Sequence, residues 1–428
     1  MEIGILGGGL AGLSVAAHLR HSYEVLEAEE RCGGHCCSVQ EDGFTYDEGG
    51  PHIVFSRNQK ILDYMVSLMG AEAQRRQRNN KIVFKGRYVK YPFENGLSDL
   101  DPQDRFDCLY SFLNNPAPQP ANFKEWLYFN FGAGLTEKYL LPYNEKIWKL
   151  AAAQMAMDWV QGRIPKPPLE DLVKSAVGLS TEGYTEQLFY YYPRTGGIET
   201  LIRALVRQVR PITTGFTVRQ IRRNGPGWTV SDGTRTRSYE KLVATLPVQD
   251  LVRIVEGVPG AVLAAADALR YNSLLVLALG ISGAAFPPFT ALYVPDPAIR
   301  FHRLSFPGEF SPANVPAGRS LVCAEITANA GDGVWEMPDQ ALLDDVSASL
   351  EKLGLLERKN LCYSKVLRSK YGYVVQDFGY RKNLNVVKDW FRSAGIALCG
   401  RVAEFEYVNM DVCIDKGIKL AETLNTGG

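Results

Sequence analysis

The stretch that decides the fold is "MEIGILGGGLAGLSVAAHL" (Met1–Leu19). "EIGIL" has the apolar density of a buried strand. Gly7, Gly9 and Gly12 follow at G-x-G-x-x-G spacing, and small residues then suit a close-packed helix. In such a unit the first glycine permits a tight turn, and the second lets the backbone approach a pyrophosphate. The third lets the helix pack on the strand, and the helix N-terminus receives the negative charge. The spacing alone is weak. "YEVLEAEE" (Tyr23–Glu30) strengthens it, because a second strand ends there at Glu27, twenty residues beyond Gly7. A carboxylate at that point accepts hydrogen bonds from ribose hydroxyls. The opening therefore reads as a dinucleotide-binding strand–helix–strand unit.

Working outward, Gly33–Gly34 forms a second glycine pair that an ADP-ribose grip for NAD does not need. Cys32, His35, Cys36 and Cys37 look like metal ligands, but no second CxxC or HxxxH partner exists, so no metal is expected. "KIVFKGRYVKYPF" reads as a hairpin around Lys85–Gly86. Helical periodicity runs from about Asp104 to Asp158, and "GRIPKPP" (Gly162–Pro168) is a breaker-rich loop. "YYYPRTGGIETLIRALVRQV" predicts a strand, a turn at Gly196–Gly197 and an amphipathic helix. Short strands with an Asn-Gly-Pro-Gly turn and an Asp-Gly hairpin signal follow. The segment from Ser273 to Tyr373 is β-rich, with one helix at about Asp339–Leu353, and a last strand and helix close the chain.

With 428 residues the chain exceeds a single simple core. Its 46% hydrophobic and 22% charged residues are those of a soluble globular protein, and zero net charge points to no nucleic-acid partner. The one basic run, "AQRRQR" (Ala73–Arg78), reads as a solvated helix face or loop. The longest apolar stretch, Leu274–Phe289, is broken by Gly280, Gly283 and two prolines, so no membrane span is expected. The chain opens at Met1 in a strand-like run without a basic and then apolar leader pattern, so no secretory signal is expected. Eight cysteines without framework spacing suit a reducing compartment, so a cytoplasmic location is expected.

The combination of "GGGLAG", Glu27 and Gly33–Gly34 resembles the FAD signature of the flavoprotein group that includes amine oxidases, protoporphyrinogen oxidases and UDP-galactopyranose mutases. The resemblance implies FAD as cofactor, held by Gly7, Gly9, Leu10, Ala11, Gly12, Glu27, Ala28, Arg31, Gly33 and Gly34. It further implies an α/β fold of the glutathione-reductase type. In that arrangement a discontinuous Rossmann-like FAD-binding domain (1–80, 190–248 and 395–428) carries a helical segment (95–190) and an antiparallel β-sheet cap (81–94 and 249–394).

Several stretches resemble the mutases in particular. "GGPHIVF" matches a segment beside the flavin, which implicates Gly50, Pro51 and His52. "GRVAEFEYVNMD" (Gly400–Asp411) matches their C-terminal motif, placing Gly400, Arg401, Asn409 and Met410 by the flavin and Tyr407 by the substrate. "GAGLTEKYLLPYNEKIW" carries aromatic substrate contacts onto Tyr139, Tyr143 and Trp148, and Tyr91 and Arg163 are counted with them. "RFHRLSF" gives Arg303 a diphosphate role, and "YGYVVQD" supplies Tyr373. Two departures stand out. Lys166 and Pro167 occupy the place of a second diphosphate arginine, and Asn409 replaces an aspartate.

The activity so implied is pyranose–furanose ring isomerisation of a nucleotide sugar through reduced flavin N5, within polysaccharide or glycoconjugate biosynthesis. His52, Arg303, Tyr373 and Tyr407 would be its central residues, and positioning and charge stabilisation the protein's part. The first alternative is net oxidation of a small organic substrate on the same fold. The second is a non-enzymatic escort protein. Oligomeric state is left open.

Overall fold

The computed structural model describes residues 1–160, 163–183, 185–283 and 286–427, and of Glu186 only the backbone. Gly162, where the expected breaker-rich loop begins, lies outside them, as do Ala284 and Ala285 of the longest apolar stretch.

A five-stranded parallel sheet gathers strands from both ends and the middle of the chain. Its order is Ile396–Leu398, Lys241–Ala244, Ile3–Leu6, Tyr23–Leu26 and Ile212–Thr213. Ile3, Ile5, Val25, Leu26 and Val243 are all buried, as a parallel sheet covered on both faces requires. The helix Leu10–His18 packs against the C-terminal helix Met410–Asn425. Two glycines permit the approach. A Cβ on Gly417 would stand 2.7 Å from Ser14 Cβ, and one on Gly400 (φ 93°) would stand 2.5 Å from Ala11 Cβ.

A second, seven-stranded sheet has the order Leu361–Val374, Tyr271–Ser282, Arg319–Ala328, Arg303–Ser305, Ala291–Tyr293, Asn80–Phe84 and Arg87–Lys90. The expectation of an antiparallel cap needs one correction. Ala291–Tyr293 pairs parallel with Asn80–Ile82, because the hairpin at 80–90 joins the sheet from a remote part of the chain. That hairpin turns at Lys85 and Gly86, both at positive φ (48° and 75°), as a two-residue β-turn requires.

The helical segment carries Pro102–Leu113, then Phe123–Leu135 joined by a π-helical turn (Thr136–Leu140) to Leu141–Trp148, and Leu169–Ala176, rather than one long periodic run. Prolines 116, 118 and 120 cannot continue a helix, and Asp101 and Asn122 cap the first two helices through their side chains. Among the described residues no helix is long and apolar enough to cross a membrane.

The basic run Ala73–Arg78 is also corrected. Ala73–Gln77 is a strand paired antiparallel with Phe189–Pro193. Its arginines are used locally: Arg75 lies 3.9 Å over the Phe189 ring, and Arg76 Nε donates to Phe310 O at 3.0 Å.

Candidate functional site

A cavity of about 1090 Å³ runs from the first strand–helix turn to the helical segment and the second sheet. Its first wall is glycine backbone. Gly7 (φ 108°) ends the first strand, Gly9 precedes the first helical residue, and Gly33 (φ 141°) bridges to Gly9. A Cβ on Gly9 would meet nothing within 4 Å, so the backbone there faces open space. One on Gly12 would stand 2.0 Å from Gly7 O; this glycine serves the helix–strand contact and not the cavity. Glu27 lines the cavity at the end of the second strand, where its carboxylate accepts from Gly8 N at 2.7 Å and Glu29 N at 2.9 Å.

Gly7, Gly9, Leu10, Ala11, Glu27, Gly33 and Gly34 line one surface. Ala28 and Arg31 do not. Ala28 is exposed, and Arg31 is held outside the cavity by Glu48 and, at 2.6 Å, by Glu199, two carboxylates that neutralise it.

The second wall is the turn Gly49–His52. Buried Asp47 organises it, accepting from His52 N (3.1 Å), Ser38 Oγ (2.9 Å), Tyr192 OH (3.0 Å) and Ile198 N (3.0 Å). Burial pushes this carboxyl up to about 6. Pro51 and His52 line the cavity; Gly50 lies behind them, where a Cβ would sit 2.8 Å from Glu325 Oε2. Burial lowers His52 to about 3 and His35 to about 4, with the nearby Arg401 charge adding to both, so both rings are neutral at pH 7. His52 Nδ1 and Asp411 Oδ1 are buried polar atoms without a hydrogen-bond partner among the described residues. Protein interiors seldom leave such atoms unpaired, so a ligand in the cavity is their natural partner.

The third wall comes from the C-terminal motif. Gly400, Arg401, Tyr407, Asn409, Met410 and Asp411 all line the cavity. The helix Met410–Asn425 starts there with no side-chain cap, leaving its positive end open to the cavity. Arg401 donates to Val408 O (3.2 Å) and Gly372 O (2.6 Å), both neutral acceptors, and makes no ion pair among the described residues. Its guanidinium lies 4.6 Å from the Tyr407 ring centre, and that of Arg163 lies 4.1 Å from the same ring.

Trp148, Tyr373 and Tyr407 form a mutually edge-on group with centroids 5.5 to 6.1 Å apart. Tyr139 stacks on Tyr143 at 5.3 Å, and Tyr91 stacks on Tyr293 at 4.6 Å. Arg303 lines the cavity too, yet buried Glu325 grips it by two bonds, Nε to Oε1 at 2.7 Å and Nη2 to Oε2 at 2.6 Å. Arg303 therefore reaches the cavity with its charge already paired.

Sequence reasoning missed several lining residues: His35, Arg57, Arg78, Glu94, Trp159, Tyr293 and Asp411. Arg78 had a visible signal, since it ends the one basic run, but strand pairing was needed to bring it to the cavity, where it donates to Gln187 Oε1 at 2.7 Å. His35 and Asp411 stood beside residues already singled out.

A glycine-built dinucleotide cradle, joined to a chamber of aromatics and arginines by a sheet drawn from three parts of the chain, defines the FAD-dependent flavoprotein fold. The chain belongs to the family of flavin-containing amine oxidoreductases, whose model matches residues 10–424. The fold is similar to that of a reduced UDP-galactopyranose mutase, with a TM-score of 0.90, 26% identity, and coverage of 100% of this chain and 96% of that one. A protein of Exiguobacterium sp. 255-15, assigned provisionally as a protoporphyrinogen oxidase, is similar with a TM-score of 0.79 and 18% identity, covering 100% and 99% of the two chains. A putrescine oxidase variant gives a TM-score of 0.69 at 16% identity, with coverage of 100% and 99%. The last two likenesses concern the fold alone. The family and the mutase likeness together make this protein a flavoenzyme.

Proposed function

We propose that the protein holds FAD along its glycine cradle and isomerises the sugar ring of a nucleotide sugar. The cradle fits the cofactor. Gly9 leaves room for phosphates at a helix N-terminus, Glu27 is placed for a ribose, and the open end of the helix Met410–Asn425 suits a partial negative charge. Bound FAD would supply a nucleophilic nitrogen when reduced and accept a hydride when oxidised.

The observation that carries the substrate reading is Arg401. It lies against Tyr407 with only neutral carbonyl acceptors, beside a second guanidinium, Arg163. A diphosphate is the ligand that such convergent charge matches, and guanidinium–phosphate bonds are charge-assisted. Tyr373 and Tyr407 would offer flat faces and hydroxyls to the sugar. His35 and His52, neutral, would offer hydrogen bonds there without adding charge. The residues would bind, orient and exclude water, which is how binding energy becomes rate.

The experiment is a titration of dithionite-reduced and oxidised protein with UDP, UDP-galactopyranose, GDP and a GDP-hexose, following flavin absorbance. A spectral response, stronger in the reduced state, is expected; no response in either state removes the nucleotide-sugar reading.

One observation favours a second reading, net oxidation of a small organic substrate. Glu325 neutralises Arg303, and Lys166–Pro167 replaces the family's second arginine, so the diphosphate clamp is reduced. Peroxide formation from an amine or alcohol under air would identify that activity.

A further inference from the structure

Among the described residues, Glu94 is a carboxyl without a side-chain counterpart. It stands in the short helical turn Phe93–Asp99, is 7% exposed, and lines the same cavity as the arginines. Among the described residues its carboxyl meets only its own backbone N–H, and burial pushes it up to about 7. No cation among the described residues acts on it, and the lysines of the surrounding sequence are committed to other groups. Lys90 Nζ donates to Thr181 O at 2.6 Å and to Glu182, and Lys85 and Lys138 both reach Asp104. Asn95, the next residue, spends its amide on Thr181 Oγ1 at 2.7 Å. An interior that only needed filling would carry an apolar side chain here, since an unpaired buried carboxyl is costly. Because the residue faces the cavity, the missing partner is a ligand group.

The surroundings limit what that group can be. Tyr91 lies parallel to Tyr293 at 4.6 Å and 15°, Tyr139 parallel to Tyr143 at 5.3 Å and 20°, and Tyr143 meets Tyr293 edge-on at 5.6 Å. Flat rings of this kind accept a planar heterocycle or a cation. A carboxylate is acceptor-only, with two oxygens side by side. Its complement is a ligand edge bearing two adjacent N–H donors. Guanine presents N1–H and N2–H in that arrangement, and a protonated amine presents the same donors from a point charge. The uracil edge matches only the protonated carboxyl, as a donor–acceptor pair; its one N–H is flanked by carbonyls that the ionised form repels.

We propose that Glu94 is a specificity-determining residue that accepts hydrogen bonds from a donor-only nitrogen edge of the substrate, a guanine base in a nucleotide sugar or the ammonium group of an amine. The guanine arm rests on the nucleotide-sugar reading; the amine arm does not. Donors at this position hold the carboxyl ionised on binding, and the buried charge is thereby compensated.

The test is calorimetric titration of flavin-loaded wild type, Glu94→Gln and Glu94→Ala with GDP, UDP and 1,4-diaminobutane, with flavin content as the check that each variant is folded. Glu94→Gln replaces one acceptor by a donor and keeps the volume. GDP is expected to bind wild type at least tenfold tighter than UDP, a preference that both variants lose while UDP affinity stays the same. Diamine binding that both variants abolish, with no nucleotide binding, upholds Glu94 and removes the nucleotide reading. UDP binding at least as tight as GDP, unchanged in both variants, overturns the Glu94 assignment and leaves the nucleotide reading standing. Absence of binding by all three probes overturns both.

Discussion

Arg303 and Glu325 face each other across neighbouring antiparallel strands, in register, and join through two parallel charge-assisted bonds of 2.7 and 2.6 Å with the carboxylate wholly buried. The pair sits behind Gly50, so it also supports the turn that presents His52. Removing one partner of a buried pair strands the other charge, at about 3–5 kcal/mol. Glu325→Ala should therefore lower unfolding free energy by that order in urea denaturation. Combining it with Arg303→Met should recover most of the loss. A single variant within 1 kcal/mol of wild type, roughly the value of an exposed pair, would contradict the burial argument.

Gly9 and Gly12 separate cofactor binding from folding. Gly9 has ordinary φ (−73°) and open space at its Cβ position, so Gly9→Ala should fold normally while its methyl group intrudes on the phosphates. Flavin affinity should fall at least tenfold, about 1.4 kcal/mol. Gly12→Ala would force a Cβ to 2.0 Å from Gly7 O and should reduce soluble yield and melting temperature as well. Equal behaviour of the two variants in flavin titration and thermal melting would refute this division of labour.

Two sets of buried groups oppose each other as pH drops: Asp47 and Glu94, whose carboxyls are raised, gain stability, whereas His35 and His52 lose it. Burial depresses His35 from 6.5 to about 4 and His52 from 6.5 to about 3, so below pH 6.5 the unfolded chain binds protons that the folded chain does not. Their contribution is complete above about 6.5 and is lost as pH descends toward the folded values; for His35 it amounts to roughly 3 kcal/mol. In thermal melts between pH 7 and 4, His35→Asn with His52→Asn should shift the slope toward greater stability in acid than wild type shows. An unchanged slope in the double variant would assign acid lability to other groups.

Arg401→Ala and Arg163→Ala should each weaken UDP binding at least tenfold, about 1.4 kcal/mol or more, with melting temperature little changed relative to Glu325→Ala. Both guanidiniums lie against Tyr407, so Tyr407→Leu should weaken binding less than either, and Tyr407→Phe least, because the ring that carries them is kept. Calorimetry on the four variants gives the order directly.

Some of this was legible in the chain itself. Gly7, Gly9, Glu27 and the turn at Lys85–Gly86 are read from spacings of a few residues to about twenty, because each depends on the conformation of one short segment. The C-terminal motif was recognisable for the same reason. Arg31 was misplaced, since its two carboxylates come from positions 48 and 199, and nothing local announces them. Arg78 was dismissed because a basic run has no facing direction until its strand finds Phe189–Pro193.

The sequence by itself determined the dinucleotide-binding turn, the hairpin turn at Lys85–Gly86 and the β-rich character of the second sheet, all properties of backbone sterics and hydrophobic pattern acting over short distances. Only the tertiary structure decided that Arg303 is neutralised and that, among the described residues, Arg401 makes no ion pair and Glu94 faces the cavity without a side-chain counterpart. The effect of a charge depends on what lies within a few ångströms of it and on how much water is excluded, and strand pairing and helix packing bring those neighbours from far along the chain.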